Sequence, residues 1–313
     1  MNESMKEKKI AVVVGGPSTE ASVSRRTGAA IAEALTRKGY QIETIELVPN
    51  MLADQLKEKQ IDVVFNALHG RYGEDGVLQG LCEMMGIPYT GPGVMASAVG
   101  MNKVMSKCAF KGAGIATAPF AYYFSNEAYA AIEQDICRKF SFPVVIKSAG
   151  QGSSIGTVIV QQQEDIQPAL KEAFTYSRSI IVEAFLDGEE FTVAVMNDMA
   201  FPVIKIVPST GKYDYYSKYT PGVTQHICPA PISEALTKKM QDLALQVFHL
   251  CHCSGVSRVD IMTDKEGNPF VLEINTVPGM TETSLVPDAA QAMDLSFADL
   301  CEKILLEASV GKF

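Results

Sequence analysis

Short runs of β-branched residues alternate with helix-period stretches through the first hundred positions. Lys9–Val14 (KIAVVV) predicts a strand, Ser22–Arg37 an amphipathic helix, and Gln41–Leu47 and Ile61–Leu68 two more strands. Such alternation implies parallel strands with ligand loops at their carboxyl ends. The pattern changes after YTGPGVMASAVGMNK (89–103), which opens a new helix. Phe142–Lys147, Thr157–Val160 and Ile180–Phe185 are short strand-like pieces of antiparallel character, punctuated by GQGSSIG (150–156). From Glu190 onward strands and helices mix, and Phe297–Ala308 predicts a last amphipathic helix. The expected fold class is therefore α/β, with an α+β second part.

Composition narrows the function. A chain of 313 residues, 47% hydrophobic and 20% charged, can bury a large core. Its net charge of −9, without any block of Lys and Arg, argues against nucleic acid as a partner. The start, MNESMKEKKIAVVVGG, runs straight into a glycine turn, and no apolar run reaches the roughly 18 residues of a membrane span. No membrane association is expected, and the cytoplasm is the expected compartment. Seven scattered cysteines argue against a disulfide framework. Cys251-His252-Cys253 lacks the spacing that converges two ligands on one zinc, and reads as a helix end with partly buried thiols. GGPSTE after the first strand is not G-x-G-x-x-G, and no P-loop motif occurs.

The chemistry concentrates in FVLEINTVPGM (270–280), an apolar run that carries Glu273 and Asn275 two positions apart. Upstream lies SRVDIM (257–262), separated from it by the turn-rich DKEGN. A hairpin turning near Glu266-Gly267 sets Arg258 opposite Asn275 and Asp260 opposite Glu273, and a period of two puts all four on one face. Opposed carboxylates destabilise each other unless a cation joins them. Two carboxylates and an amide suit Mg2+ or Mn2+, which completes its shell with water and nucleotide phosphates. The bland alternative is a solvent-exposed polar face. GQGSSIG offers backbone N–H groups and hydroxyls that can close over phosphates, or is a plain connector. Lys103 in MNKVMSK and Lys147 at the end of FPVVIK are either phosphate-binding charges or surface lysines. Glu20, at a helix start, is the carboxylate that the macrodipole favours there.

The ordered set PVVIK, GSSIG, IIVEAFLDGEEFTVAV, SRVDIM and LEINTVPGMTETSLVP resembles the ATP-grasp superfamily, and within it the D-alanine–D-alanine ligases. GGPSTEASVS (15–24), HGRYGEDGVLQG (69–80), YTGPG (89–93) and YDYYSKYT (213–220) extend the resemblance over nearly the whole chain. It implies a three-lobed ATP-grasp fold: a Rossmann-like substrate lobe over 1–100, a central lobe over 101–185, and a C-terminal lobe with metal site and lid over 186–313. It also implies ATP-driven joining of two D-alanines through an acyl phosphate, in the making of peptidoglycan precursors, by a homodimer.

Position by position, the resemblance makes Asp260, Glu273 and Asn275 ligands of two Mg2+ or Mn2+ ions. Lys103, Lys147, Ser153, Ser154 and Lys218 fall to the ATP phosphates, Glu183 and Leu186 to adenine, and Glu190 to ribose. Glu20 would hold the ammonium of the first D-alanine, with Val23, Ser24 and His69 beside it. Ser284 and Leu285 would meet the second D-alanine, Gly279, counted with the catalytic residues, would let the backbone approach closely, and Arg258 would stabilise the developing oxyanion. Ser153 and Tyr219 would hydrogen-bond with Glu20 and hold the Tyr-rich stretch Ser209–Gly222 over the site, excluding water from the acyl phosphate. Related D-alanine–D-lactate ligases differ in that stretch, so Lys218-Tyr219 favours an amine nucleophile; a D-alanine–D-lactate or other D-amino-acid ligase, a catalytically silent ATP-binding regulator and a carboxylase-type ATP-grasp component are the rival readings. Ser148, Gly150, Gln151, Lys212 and Thr283 depart from the commoner family form.

Overall fold

A computed structural model of the chain describes residues 2–209, 222–281 and 284–312. Its frame is three sheets in chain order. In the first, strand Lys9–Val14 lies between Gln41–Glu46 and Val63–Asn66, and pairs with both in parallel. Alternate side chains of the central strand enter different layers. Ile10, Val12 and Val14 pack with Ile31 and Leu35 of helix Ala21–Arg37, whereas Ala11 and Val13 meet Leu52, Leu56 and Leu78. A strand covered on both faces reads as the continuous apolar run seen in the sequence.

The second sheet is antiparallel, with Val144–Ser148 between Ser179–Ala184 and Thr157–Val160, and Phe120–Phe124 on the outer edge. Helices Tyr129–Lys139 and Ile166–Tyr176 cover one face. In the third sheet, Val256–Thr263 pairs antiparallel with both Glu190–Met196 and Pro269–Asn275. Helix Glu234–Leu250 closes one face of it through Met240, Ala244 and Val247.

The chain's end returns to its beginning. Leu300, Ile304 and Leu305 of helix Phe297–Leu306 share the core of Ile10 and Ile31, and Lys38 Nζ holds Asp299 at 2.5 Å and Glu302 at 2.7 Å. First and third sheets thus share one apolar core.

Several element edges differ from the sequence reading by one or two residues. Ile61–Leu68 shortens to Val63–Asn66, because the Ile61 N–H still bonds back to the Leu56 carbonyl of the preceding helix. Phe142–Lys147 becomes Val144–Ser148, since Pro143 has no N–H to give a ladder. Cys251 caps helix Glu234–Leu250 and is buried, as the helix-end reading expects.

Gly28 is where helix Ala21–Arg37 touches the sheet most closely: a Cβ there would lie 2.0 Å from Val14 Cγ1. That contact sets how near the helix start, with Glu20, comes to the strand ends. Gly28→Val is expected to destabilise the fold by about 1–3 kcal/mol through overpacking, read as a lower urea midpoint at unchanged slope. An unchanged midpoint would show that the contact is not tight.

Candidate active site

The loops at the carboxyl ends of the first sheet make one wall of a cavity of about 110 Å³. Glu20 is the N-cap of helix Ala21–Arg37, and its own N–H is held by Ser18 Oγ at 3.1 Å. Ser24 does not reach the cavity. Its hydroxyl accepts the Gly15 N–H at 2.8 Å and donates to the Ala67 carbonyl at 2.7 Å, tying the first loop to the third strand. Val23, one residue earlier on the helix, does line the cavity. His69 lines it too, with Nε2 3.1 Å from Thr27 Oγ1 and Nδ1 3.9 Å from Glu74 Oε1. Burial holds the Glu74 carboxyl above its ordinary range, reinforced by the negative Glu20 and opposed by His69 and the Gly70 N–H.

The second wall comes from the middle sheet. Ser153 and Ser154 stand in the left-handed region at φ of 50° and 60°, a conformation uncommon for side-chain-bearing residues. The turn carries Ser153 Oγ to Glu20 Oε1, to which it donates a hydrogen bond across 133 positions of chain. Gly152 sits so close that a Cβ would lie 3.1 Å from Glu20 Oε2. The departures from the common family form find partners of their own. Ser148 donates to the Ala173 carbonyl at 2.5 Å, and the Gln151 side chain donates to the Tyr176 carbonyl at 3.2 Å.

The floor is the predicted hairpin. Arg258 pairs with Asn275 and Asp260 with Glu273, the register read from the sequence, with a bulge following Asp260. Arg258 donates through Nε and Nη2 to the two oxygens of Asp260, each at 2.9 Å, and Asn275 Nδ2 donates to Asp260 Oδ2 at 2.9 Å. The opposed carboxylates are therefore met in part by the chain's own cations: Arg258 on Asp260, and Lys103 Nζ on Glu273 at 2.9 Å. The donor set still fits a hard divalent cation, because two carboxylates and an amide carbonyl share one face and Glu273 and Asn275 open onto the cavity. After Pro278 the chain turns so that Gly279, Thr281, Ser284 and Leu285 complete the lining. A Cβ on Gly279 would lie 3.0 Å from Ser284 Oγ, which accepts the Thr281 N–H at 2.9 Å.

Beside the cavity lies a row of buried charges. Lys103 also donates to the Gln151 carbonyl at 2.8 Å. Glu183, whose side chain is 3% exposed, takes Lys147 at 2.5 Å on one oxygen and Lys107 on the other. Burial alone would raise Glu183, but the two lysines outweigh it and hold the carboxyl well below its usual range. Burial lowers Lys107, aided by repulsion from Lys147 and only partly offset by Glu183. Burial acts on Lys147 as well, but Glu183, Glu273 and Glu190 together leave it raised. Both lysines read as phosphate charges are thus already paired, Lys147 with the carboxylate read as an adenine contact. Leu186 and Glu190 bracket the loop between strands Ser179–Ala184 and Glu190–Met196, which Gly188 seats against Thr263, and line no part of the cavity.

Lys212, Lys218 and Tyr219, within 210–221, and Thr283 lie outside the described residues. Sequence reading missed Lys107, Glu74, Arg26 and Thr281. Lys107 had a signal, the four-residue spacing from Lys103 on one helix. Glu74 stands inside HGRYGEDGVLQG. Arg26 had no signal beyond its place three positions after Val23.

Residues 109–306 match the family described as D-ala D-ala ligase C-terminus, and residues 46–92 match D-ala D-ala ligase N-terminus. The D-alanine–D-alanine ligase of Syntrophotalea carbinolica is 46% identical over 310 residues, covering 99% of both chains. That of Geotalea uraniireducens is 44% identical over 98% of both. Among solved structures, the Bacillus anthracis D-alanine–D-alanine ligase complexed with ATP superposes at a TM-score of 0.84, with 31% identity, covering 96% of this chain and 97% of that one. The VanG D-Ala:D-Ser ligase of Enterococcus faecalis reaches 0.83 at 29% identity, covering 95% of this chain and 98% of that one. With two family matches in order along the chain, relatives aligned almost end to end, and a solved member superposing at a TM-score of 0.84, this chain belongs to the D-alanine–D-alanine ligase family.

Proposed function

We propose that the chain joins two D-alanines to D-alanyl-D-alanine at the expense of ATP, supplying a peptidoglycan precursor, and that the cavity floored by Arg258, Glu273 and Asn275 is where the bond forms. The observation that carries this reading is the Ser153–Glu20 hydrogen bond, which brings the glycine-rich loop of the middle sheet onto the helix start of the first. A carboxylate so placed, on the same cavity as Arg258, suits the ammonium of an amino acid whose own carboxylate lies toward the arginine.

In this reading an oxygen of the first D-alanine's carboxylate attacks the γ-phosphorus of ATP, ADP leaves, and an acyl phosphate remains. The unprotonated amine of the second D-alanine attacks the acyl carbon, and the tetrahedral species expels phosphate and a proton to give the peptide. Glu20 holds the first ammonium and Ser153 fixes Glu20. Arg258 and the backbone at Gly279 stabilise the oxyanion, while Ser284 and Leu285 seat the second substrate. Lys103 and Lys147 exchange their carboxylate partners for phosphate oxygens as ATP enters, with Ser154 and Lys218 beside them. Glu183 and Leu186 line the adenine side and Glu190 meets ribose. Tyr219 joins the Glu20–Ser153 pair. Asp260, Glu273 and Asn275 would hold Mg2+ or Mn2+, two ions in this reading, which offset the charge of the transferring phosphoryl group. The enzyme is read as a cytoplasmic homodimer.

Phosphate release from Mg-ATP is expected to depend on D-alanine and to be near background with L-alanine; equal rates with the two enantiomers would refute the substrate assignment. With D-lactate competing at neutral pH, the product is expected to be chiefly dipeptide, and a predominance of depsipeptide would move the chain to the lactate-type ligases. Asp260→Ala and Glu273→Ala should each lower turnover by about two orders of magnitude or more, with an unchanged circular dichroism spectrum. Near-normal turnover in either would place the metal elsewhere.

A further inference from the structure

Among the described residues Lys107 is the most deeply buried lysine, and the ligase reading above gives it no task. It stands about one turn after Lys103 on helix Lys103–Gly112, and its side chain is 2% exposed, against 17% for Lys147. The two lysines divide one carboxylate. Lys107 holds Glu183 Oε1 and Lys147 holds Oε2. Lys107 also donates to the Val271 carbonyl at 3.4 Å, so it is fixed from the third sheet as well as from the middle one.

Glu183 lies on the face of the middle sheet that helices Tyr129–Lys139 and Ile166–Tyr176 leave free. Ile180 and Val182 enter the core under those helices, whereas Ile181, two positions before Glu183, packs with Val104 and Ala149 beside the partly buried Phe120. A carboxylate set among apolar groups stays ionised only with a cation on it, since burial drives it to take a proton. The further charges that bear on this triad are Glu273, felt by both lysines, and Glu190, felt by Lys147.

The consequence arises when ATP enters. In the ligase reading, on which this inference rests, Lys147 turns to the phosphates and Glu183 meets the adenine side. Oε2 is then vacated, and Lys107 is the cation left on the carboxylate. Without Lys107 the carboxyl would be buried, unpaired and protonated, a donor in place of an acceptor.

We propose that Lys107 is a positioning residue for base selection: sealed in the interior on Glu183 Oε1, it stays when Lys147 leaves, so that Glu183 remains a carboxylate and offers Oε2 to an amino group of the base. Such an acceptor favours a purine with an amino group at ring position 6 and repels one with a carbonyl there. Adenine is the first kind and hypoxanthine the second.

Binding of ADP and of inosine diphosphate, measured by titration calorimetry, tests this without relying on turnover. The parent is expected to favour ADP about ten- to a hundred-fold. Lys107→Met should cut that preference about ten-fold, because a protonated Glu183 donates to the carbonyl. In Glu183→Gln, Lys107 claims the amide oxygen and turns Nε2 toward the base, so the preference should pass to inosine diphosphate. Adding Lys107→Met to that variant removes both buried charges and frees the amide to flip, which should bring the two affinities near equality. A parent-like preference in Lys107→Met, or a double variant with the same preference as Glu183→Gln alone, overturns the assignment. A parent protein that binds the two nucleotides equally, or neither, defeats the nucleotide part of the ligase reading itself, and this inference with it.

Discussion

The rest of the site depends on one constraint, that Asp260 faces Glu273 across an antiparallel pair on a half-buried floor. Two carboxylates cannot share that position alone, and every neighbouring cation is arranged around the problem. Arg258 grips the first through both oxygens, Lys103 reaches the second from another part of the chain, and Lys147 feels Glu273 from farther off. A buried set of this kind contributes little net stability, since desolvation of the charges offsets their attraction. In the proposed reading its use would be a prepared exchange, in which cations held by carboxylates would pass to phosphates and the carboxylates they release would be open to a divalent ion.

The second requirement is that three sheets made from different parts of the chain meet at one place. The apolar core common to the first and third sheets holds Glu20 against the hairpin, and the strained Ser153–Ser154 turn brings in the middle sheet. Backbone strain at a turn is kept where the surroundings over-determine it. Here Glu20 fixes Ser153, and Gly152 leaves room for the approach. In the proposed ligase reading the middle sheet would reach the first substrate by way of the Ser153–Glu20 hydrogen bond and the nucleotide through Lys147, so both ligands would bear on its position.

Much of this was legible in the sequence, for local reasons. A turn flanked by two period-two strands fixes its own register, so Arg258, Asp260, Glu273 and Asn275 fell on one face as read. The parallel first sheet followed from unbroken apolar runs separated by a helix. What escaped depends on partners distant in sequence. Lys107 and Glu183 are 76 positions apart by number, and nothing local says that they meet in the interior. Ser24 was grouped with Val23 by adjacency, yet neighbours on a helix point about 100° apart, so one lines the cavity and the other pins the frame. Two strand starts moved for reasons of backbone donors: Pro143 has none to give, and that of Ile61 is used by the preceding helix.

The most direct measurement of the chemistry follows an oxygen atom. Incubation with Mg-ATP and D-alanine labelled with heavy oxygen in its carboxylate, followed by mass analysis of the released phosphate, reports which bond was made. If the carboxylate of the first D-alanine attacks the γ-phosphorus and phosphate leaves when the peptide forms, each phosphate carries one labelled oxygen. Unlabelled phosphate released alongside dipeptide would contradict the acyl phosphate route.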